Sequence, residues 1–464
     1  MLSQEKLVEQ EPLGGQAMPM SEDGLMERFF HLRQNGTDVR TEIVAGFATF
    51  MTMAYIIFVN PSILGVAGVP KEAVITATAL AAGLATLMMA LFTNYPFALA
   101  SGMGLNGVLT FSLVKGLGMP WQTAMGVVVV EGVVITLLVL TNVREAVMDA
   151  IPLTLKRAIG VGIGLFIATI GLEDAKLIVA HPATLVTFGS LKDPGVWVAA
   201  FGVMVTAILM AWRVRGSILL GILASTVLAI PLGVAQLPKA LVSLPTAASF
   251  STLFATFTTN PATGQPYILG VLSLGMAGMV FAFMVTDFFD TMGTVVAVGG
   301  EAGFLDKQGR LPRIKGVLLV DSLAAVLGGA FGVSSVTTYI ESGAGVSEGG
   351  RTGLTSMVVA VLFLLSMFLA PIAGIVPAPA TAPALIVVGF LMMMVVKDIN
   401  FADPTEAFPA FLTIIATPLT YSISRGIGYG FIAYTLIKIF TGRAKDVHWL
   451  LYVVSALFLV SFLV

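Results

Sequence analysis

Asp287 and Asp290 lie one helical turn apart in VFAFMVTDFFDTMGTVVAV, and Glu341 lies in SSVTTYIESGAGVS. All three are carboxylates inside otherwise apolar stretches. A charged side chain at bilayer mid-depth costs about 2.5–3.5 kcal/mol on insertion scales, so such residues face the protein interior and serve function. Two ionised carboxylates three apart share a helix face and repel in a dry site, so the pair calls for a proton or a donor. Thr286, Thr291 and Thr294 can supply hydroxyls. The bland alternative for either Asp, stronger for Asp290, is that it holds a chain break or pairs with a backbone amide.

Glu341 precedes Ser342 and Gly343. At the start of a half-helix, free backbone N–H groups would stabilise its charge, and it could accept two N–H bonds from a flat heterocycle. Asn106, in SGMGLN, offers donors and an acceptor that suit the edge of an amide-bearing ring. Its alternative is an interhelical hydrogen bond. Phe281, Phe283, Phe288, Phe289 and Tyr339 could stack on a planar ring, although most read as lipid-facing. Glu131, in VVVVEGVV, reads first as a structural hydrogen-bond partner and second as a proton site. Asp321 reads as near enough to the surface to hydrate, and EAGFLDKQGRLPRIKG as a solvated loop.

The elements that must hold these groups follow from composition. The 464 residues are 57% hydrophobic and 11% charged, against roughly 25% charged in soluble domains, and the mean hydropathy is +0.96. That defines an all-α polytopic membrane protein. A net charge of −2 gives no nucleic-acid signature, zero Cys excludes disulfides and thiol chemistry, and three scattered His make a metal site unexpected. Residues 1–23 are polar and acidic and read as a disordered tail without a cleavable signal, so the first span is expected to act as its own insertion signal. Residues 24–34 suit a short interfacial helix, or a continuation of the tail.

Apolar runs predict spans at 42–64, 71–93, 97–114, 121–141, 158–173, 196–212 and 216–234, then, after a polar stretch at 235–266, at 268–299, 313–331, 333–347, 353–376, 380–397, 405–422 and 425–440. The run 447–464 is a fifteenth span, an interfacial helix, or a sign that 405–440 is wrongly divided. Clusters at Arg33/Arg40, Arg144/Lys156/Arg157, Arg213/Arg215, Lys307/Arg310/Arg313/Lys315 and Lys438/Arg443/Lys445 all fall inside if the N-terminus is cytoplasmic, whereas Lys176, Lys192 and Lys239 fall outside.

The chain also resembles itself at an offset of roughly 235–240 residues. SGMGLN (Ser101–Asn106) answers SGAGVS (Ser342–Ser347), FATFMTMAY answers VFAFMVTDF, and TAMGVVVV answers TSMVVAVL, in the same order. Seven spans per repeat is odd, so the second copy enters the membrane inverted, an arrangement typical of secondary transporters. The SGxG segments are the expected breaks, because each Gly weakens a helix by about 1 kcal/mol and freed backbone is tolerated where it lines a cavity. Close packing through small residues is the other reading. The register then sets Glu341 against Ala100, and Asp287 against the neighbourhood of Tyr55.

These motifs also carry a family resemblance. NGTDVRTEIVAGFATFMTMAYIIFVNPSIL, ASGMGLN, DFFDTMGT, SSVTTYIESGAGVSEGGRTGLT and GFIAYTLIKIFTGR are similar to the AzgA-like purine permeases of the nucleobase–cation symporter-2 family, from about residue 25 to 445. The resemblance implies about fourteen transmembrane helices in two inverted repeats of seven. Residues 1–41 would be a cytoplasmic tail, 42–234 the first repeat (core 42–141, gate 158–234), 235–267 an extracytoplasmic connection, 268–440 the second repeat (core 268–376, gate 380–440), and 441–464 a C-terminal apolar segment. The third and tenth helices would be broken.

The implied activity is proton-coupled uptake of adenine, guanine or hypoxanthine across the cytoplasmic (inner) membrane. Asn106, Asp287, Glu341, Gly104 and Ser342 would bind substrate, and Glu341, Asp287 and Asp290 would couple the proton. The partners expected are the purine and the lipid bilayer, with a homodimer left open, no nucleic acid, and no cofactor beyond the proton. One departure is Gly107, Val108 and Leu109 after GMGLN, where the family usually has Ala and an aromatic; a smaller lining there would alter which purine fits. The competing readings are a transporter of anions or of uracil or xanthine on the same fold, or an intramembrane enzyme. No Arg or Lys at mid-depth stands near either SGxG, and no nucleophile–base pair or metal cluster is visible.

Overall fold

The computed structural model describes residues 25–141, 151–238, 240–272, 276–306 and 310–463. The expected tail at 1–23 and the basic residues Arg144, Lys239 and Lys307 lie outside them. The first apolar run forms α1 (Leu25–Phe30), then α2 (Val39–Met53) and α3 (Ile56–Val66), which meet at Ala54–Tyr55. Asp38 caps α2 by accepting from Thr41 N. α4 (Lys71–Thr93) precedes β1 (Leu99–Ser101), α5 (Met103–Gly107) and a π-helical stretch at Val108–Gly116; then comes α6 (Trp121–Thr141). α7 (Leu153–Asp174), the hairpin β2–β3 (Ile178–His181, Leu185–Phe188), α8 (Pro194–Ala211) and α9 (Ser217–Ala229) complete the first half.

The second half opens with α10 (Ala277–Glu301) and α11 (Ile314–Phe331), then β4 (Val336–Thr338) and α12 (Ser342–Ser347). α13 (Gly353–Ser366) runs on through a 3-10 turn into α14 (Ala370–Gly374). α15 (Ala378–Met393), α16 (Pro404–Leu419), α17 (Ile423–Phe440) and α18 (Trp449–Leu463) follow.

The third and tenth elements are broken next to the SGxG segments: β1 runs into the first, whereas the second is helical and its break lies in β4 and the turn before it. The two strands cross as an antiparallel pair, with Leu99 opposite Thr338, Ala100 opposite Thr337 and Ser101 opposite Val336. Packing repeats with the halves exchanged: α4 lies on α13 as α11 lies on α6, and α2 lies on α12 and α13 as α10 lies on α5 and α6. Likewise α7 meets α16 as α15 meets α8, α9 meets α8 and α15 as α17 meets α16 and α7, and α7 and α15 pack on each other. This reciprocity is what two inverted copies of one unit require. Glu341 is the N-cap of α12, as Gly102 is of α5.

Nine helices among the described residues are long and apolar enough to cross a membrane. The count of fourteen is therefore not reached on length and apolarity alone, because the broken third and tenth elements, the short α9 and α16, and α17 with its Arg425 and Lys438 fall below it. Other departures have local causes. The eighth span starts at Ala277 because Tyr267–Val271 forms a 3-10 turn after Pro266. The β2–β3 hairpin was not expected; its residues are largely exposed and lack the burial that drives alternation. α1 packs on the protein through Phe30, buried with Leu32 and Leu354. Lys438 is not a loop cation: it sits in α17, 3.0 Å from Glu406 and above the Tyr434 ring. α16 and α17 are separate helices, so α18, packed on α17, is an additional element.

Candidate functional site

The crossing of β1 and β4 organises four polar groups of contacts. The first centres on Asn106, which is fully buried. Its Nδ2 donates to Asn60 Oδ1 at 2.7 Å, and Asn60 Nδ2 donates to Thr78 Oγ1 at 2.8 Å. The Ser101 hydroxyl lies 3.0 Å from Asn106 Oδ1 and also reaches the Val333 carbonyl. The amide therefore ties α3, α4 and the first break together, as the interhelical reading anticipated. Ser342 is likewise buried and accepts from Ala98 N at 3.0 Å. Gly104 lies under α7, where an added Cβ would sit 2.9 Å from Ile163 Cγ2. Val108 and Leu109 are buried, and a Cβ on Gly107 would come 3.3 Å from Phe166 Cε1, so this departure segment packs against α7.

The second group centres on Asp321. Its Oδ1 accepts from Thr338 N (2.9 Å) and Thr338 Oγ1 (2.8 Å), and its Oδ2 accepts from Thr291 Oγ1 at 2.7 Å. Thr291 and Thr337 hydroxyls lie 2.7 Å apart. Asp321 is thus buried, not hydrated, because β4 lies across α11 and presents donors to it.

Asp287 of α10 carries the third. It is fully buried and accepts from Ser335 Oγ at 3.2 Å. Its other oxygen has no donor, nor has either oxygen of the fully buried Glu131 on α6. The two carboxyl groups lie within hydrogen-bonding reach of each other.

Glu341 anchors the fourth. Its side chain does not cap α12, contrary to the expectation of free backbone donors. The Tyr55 hydroxyl donates to its Oε1 at 2.7 Å instead, from the break between α2 and α3. Glu341 is half-buried and Asp290 is exposed, and their charges lie close enough to interact. The Tyr339 hydroxyl donates to the Ser101 carbonyl at 2.5 Å, joining this group to the first. Phe283 and Phe288 are buried rather than lipid-facing; the Phe289 side chain lies outside the described residues.

Of the residues singled out from sequence, Glu341 is bonded to Tyr55, Asp287 to Ser335, Asn106 to Asn60 and Ser342 to the Ala98 amide. Sequence reasoning missed Tyr55 and Asn60. Asn60-Pro61 inside an apolar run was the available signal, since Pro frees a carbonyl and Asn can bond locally.

Buried acids at crossed, broken elements within inverted repeats define a multi-pass membrane transporter, not an enzyme. Residues 40–429 match the model described as Permease family. Adenine permease AdeP of Escherichia coli is 44% identical over 95% of this chain and 96% of its own. Guanine/hypoxanthine permease PbuO of Bacillus subtilis is 43% identical over 93% of this chain and 99% of its own. The transmembrane domain of a cyanobacterial bicarbonate transporter, BicA, superposes with a TM-score of 0.63 over 83% of this chain and 96% of that one; at 16% identity it shows the fold alone. The chain belongs to the permease family, in the nucleobase–cation symporter group to which its motifs pointed.

Proposed function

We propose that the protein takes up purine nucleobases (adenine, guanine or hypoxanthine) with protons across the cytoplasmic membrane, N-terminus inside, by alternating access. The observation that carries this reading is the half-buried Glu341 at the second break, held by Tyr55 from the other half of the chain. Its carboxyl presents acceptors to ring N–H groups and repels anions, which disfavours an anion carrier on the same fold. The sequence likeness to adenine and guanine/hypoxanthine permeases supports the substrate class.

In this reading purine and proton enter from outside. Glu341 accepts from the ring, and Glu341, Asp287 and Asp290 are the groups among which the proton is held. Neutralising a carboxylate removes most of its cost of crossing a low-dielectric interior, so the loaded form moves readily and the two fluxes are linked. Asn106, Gly104 and Ser342 serve by fixing the breaks. The core, α2–α6 with α10–α14, then shifts against the gate, α7–α9 with α15–α17, and both solutes leave inside. No cofactor beyond the proton is invoked.

Glu341→Gln or Asp287→Asn is expected to abolish uptake of labelled purine while the protein stays in the membrane fraction. Wild-type uptake by either variant would refute the assignment. Competition among adenine, guanine, hypoxanthine, xanthine and uracil, in cells lacking their own carriers, identifies the preferred base.

A further inference from the structure

Glu131 reads from sequence first as a structural partner and second as a proton site, and its position is a demanding one. It lies midway along α6, is fully buried, and has no hydrogen-bond donor on either carboxyl oxygen. Facing it is Asp287, also fully buried, with one oxygen bonded to Ser335 and the other without a donor. The charged groups facing the pair are Asp321 of α11 and, for Asp287, Asp290 of its own helix, and all of these are acidic. Asp321 already accepts from Thr338 and Thr291.

Two carboxyl groups in hydrogen-bonding contact both lack a hydrogen unless one of them carries a proton. With no base facing them, two charges in a dry interior are not sustainable, whereas one proton between them satisfies two of the orphaned oxygens at once. We infer that Glu131 and Asp287 form a shared-proton pair, and that Glu131 is thereby a proton-binding residue of transport. The inference rests on the symport reading above and adds a residue to it. Asp290, one turn along α10, offers the pair a further carboxyl. When the proton leaves, the pair is left with two negative charges, and the same repulsion drives its recapture before the next loaded crossing.

Two experiments test this. In proteoliposomes, Glu131→Gln fixes the pair in a hydrogen-bonded form with the charge of the proton-loaded pair, because the amide N–H donates to Asp287. Purine accumulation driven by a pH gradient should fall about tenfold or more relative to purine–purine exchange, since exchange needs only the loaded form. A purely structural role lowers accumulation and exchange together, and that result, or unchanged accumulation, overturns the proposal.

Infrared spectroscopy of the purified protein reads the proton directly. One shared proton predicts that a protonated-carboxyl band is lost in Glu131→Gln and lost equally in Asp287→Asn. A band that survives either single substitution refutes sharing. If the wild-type protein shows no accumulation driven by a pH gradient, the symport reading fails instead, and the infrared result still decides the pair.

Discussion

Tyr55 and Glu341 come from opposite halves of the chain and meet at 2.7 Å, phenol to carboxyl. Tyr55 sits where α2 gives way to α3, and Glu341 where β4 gives way to α12. Each break thus supplies one partner, and the bond fixes the orientation of the carboxyl assigned to the ligand. Hydrogen bonds to charged groups contribute about 1.5–3 kcal/mol. Tyr55→Phe should therefore weaken purine binding by roughly tenfold or more, with little loss of protein from the membrane. Concentration-dependent uptake beside an immunoblot of the membrane fraction checks this.

Asn106 is assigned to positioning, and that is separable from ligand contact. Asn106→Ala leaves the buried Asn60 Oδ1 without its donor, at a cost of about 1–3 kcal/mol. The double variant Asn60→Ala/Asn106→Ala should cost less than the sum of the singles, because the orphaned atom is removed with its partner. Thermal unfolding of the detergent-purified protein reads both. Strict additivity would show that the two amides act independently.

The glycines of SGAGVS separate the break from the packing. A Cβ on Gly345 would lie 2.6 Å from the Ala45 carbonyl oxygen and 2.3 Å from Thr49 Oγ1, in the contact of α12 with α2. Gly345→Ala should destabilise by about 1–3 kcal/mol. At Gly343 the nearest atom is Glu301 Oε2 at 2.9 Å, the movable end of a side chain, so Gly343→Ala should be near neutral. Melting temperatures of the two variants are expected in that order.

Asp403 caps α16 by accepting from Thr405 N and Oγ1, with Arg443 3.0 Å away. These bonds, led by that from the Thr405 amide, hold its carboxyl below the usual carboxylate range. A depressed carboxyl stabilises the fold above its unfolded-state value of about 4 and loses that contribution as pH falls through the folded-state value. Asp403→Asn should therefore lower the melting temperature at pH 7 and converge on the wild type in strong acid. A difference that persists unchanged in acid would assign the effect to packing.

The breaks were legible in the sequence because their signal is local: Gly at i and i+2 in an apolar run, repeated in order in both halves. The buried acids were legible because a bilayer makes them expensive wherever they sit. Asp321 was misread for a related reason. Its distance from the helix start suggested water, and nothing local shows that β4, folded in from further along, would lay Thr338 across it.

The sequence by itself determined the membrane class, the inverted repeat, both breaks and the acids Asp287, Asp290 and Glu341, since composition, periodicity and insertion cost act residue by residue. Only the tertiary structure decided which polar groups meet. It turned Asn106 inward to Asn60, gave Glu341 a phenol from the other half, and set Glu131 against Asp287. Those pairings join helices far apart in the chain, and their partners are chosen by how the two repeats pack.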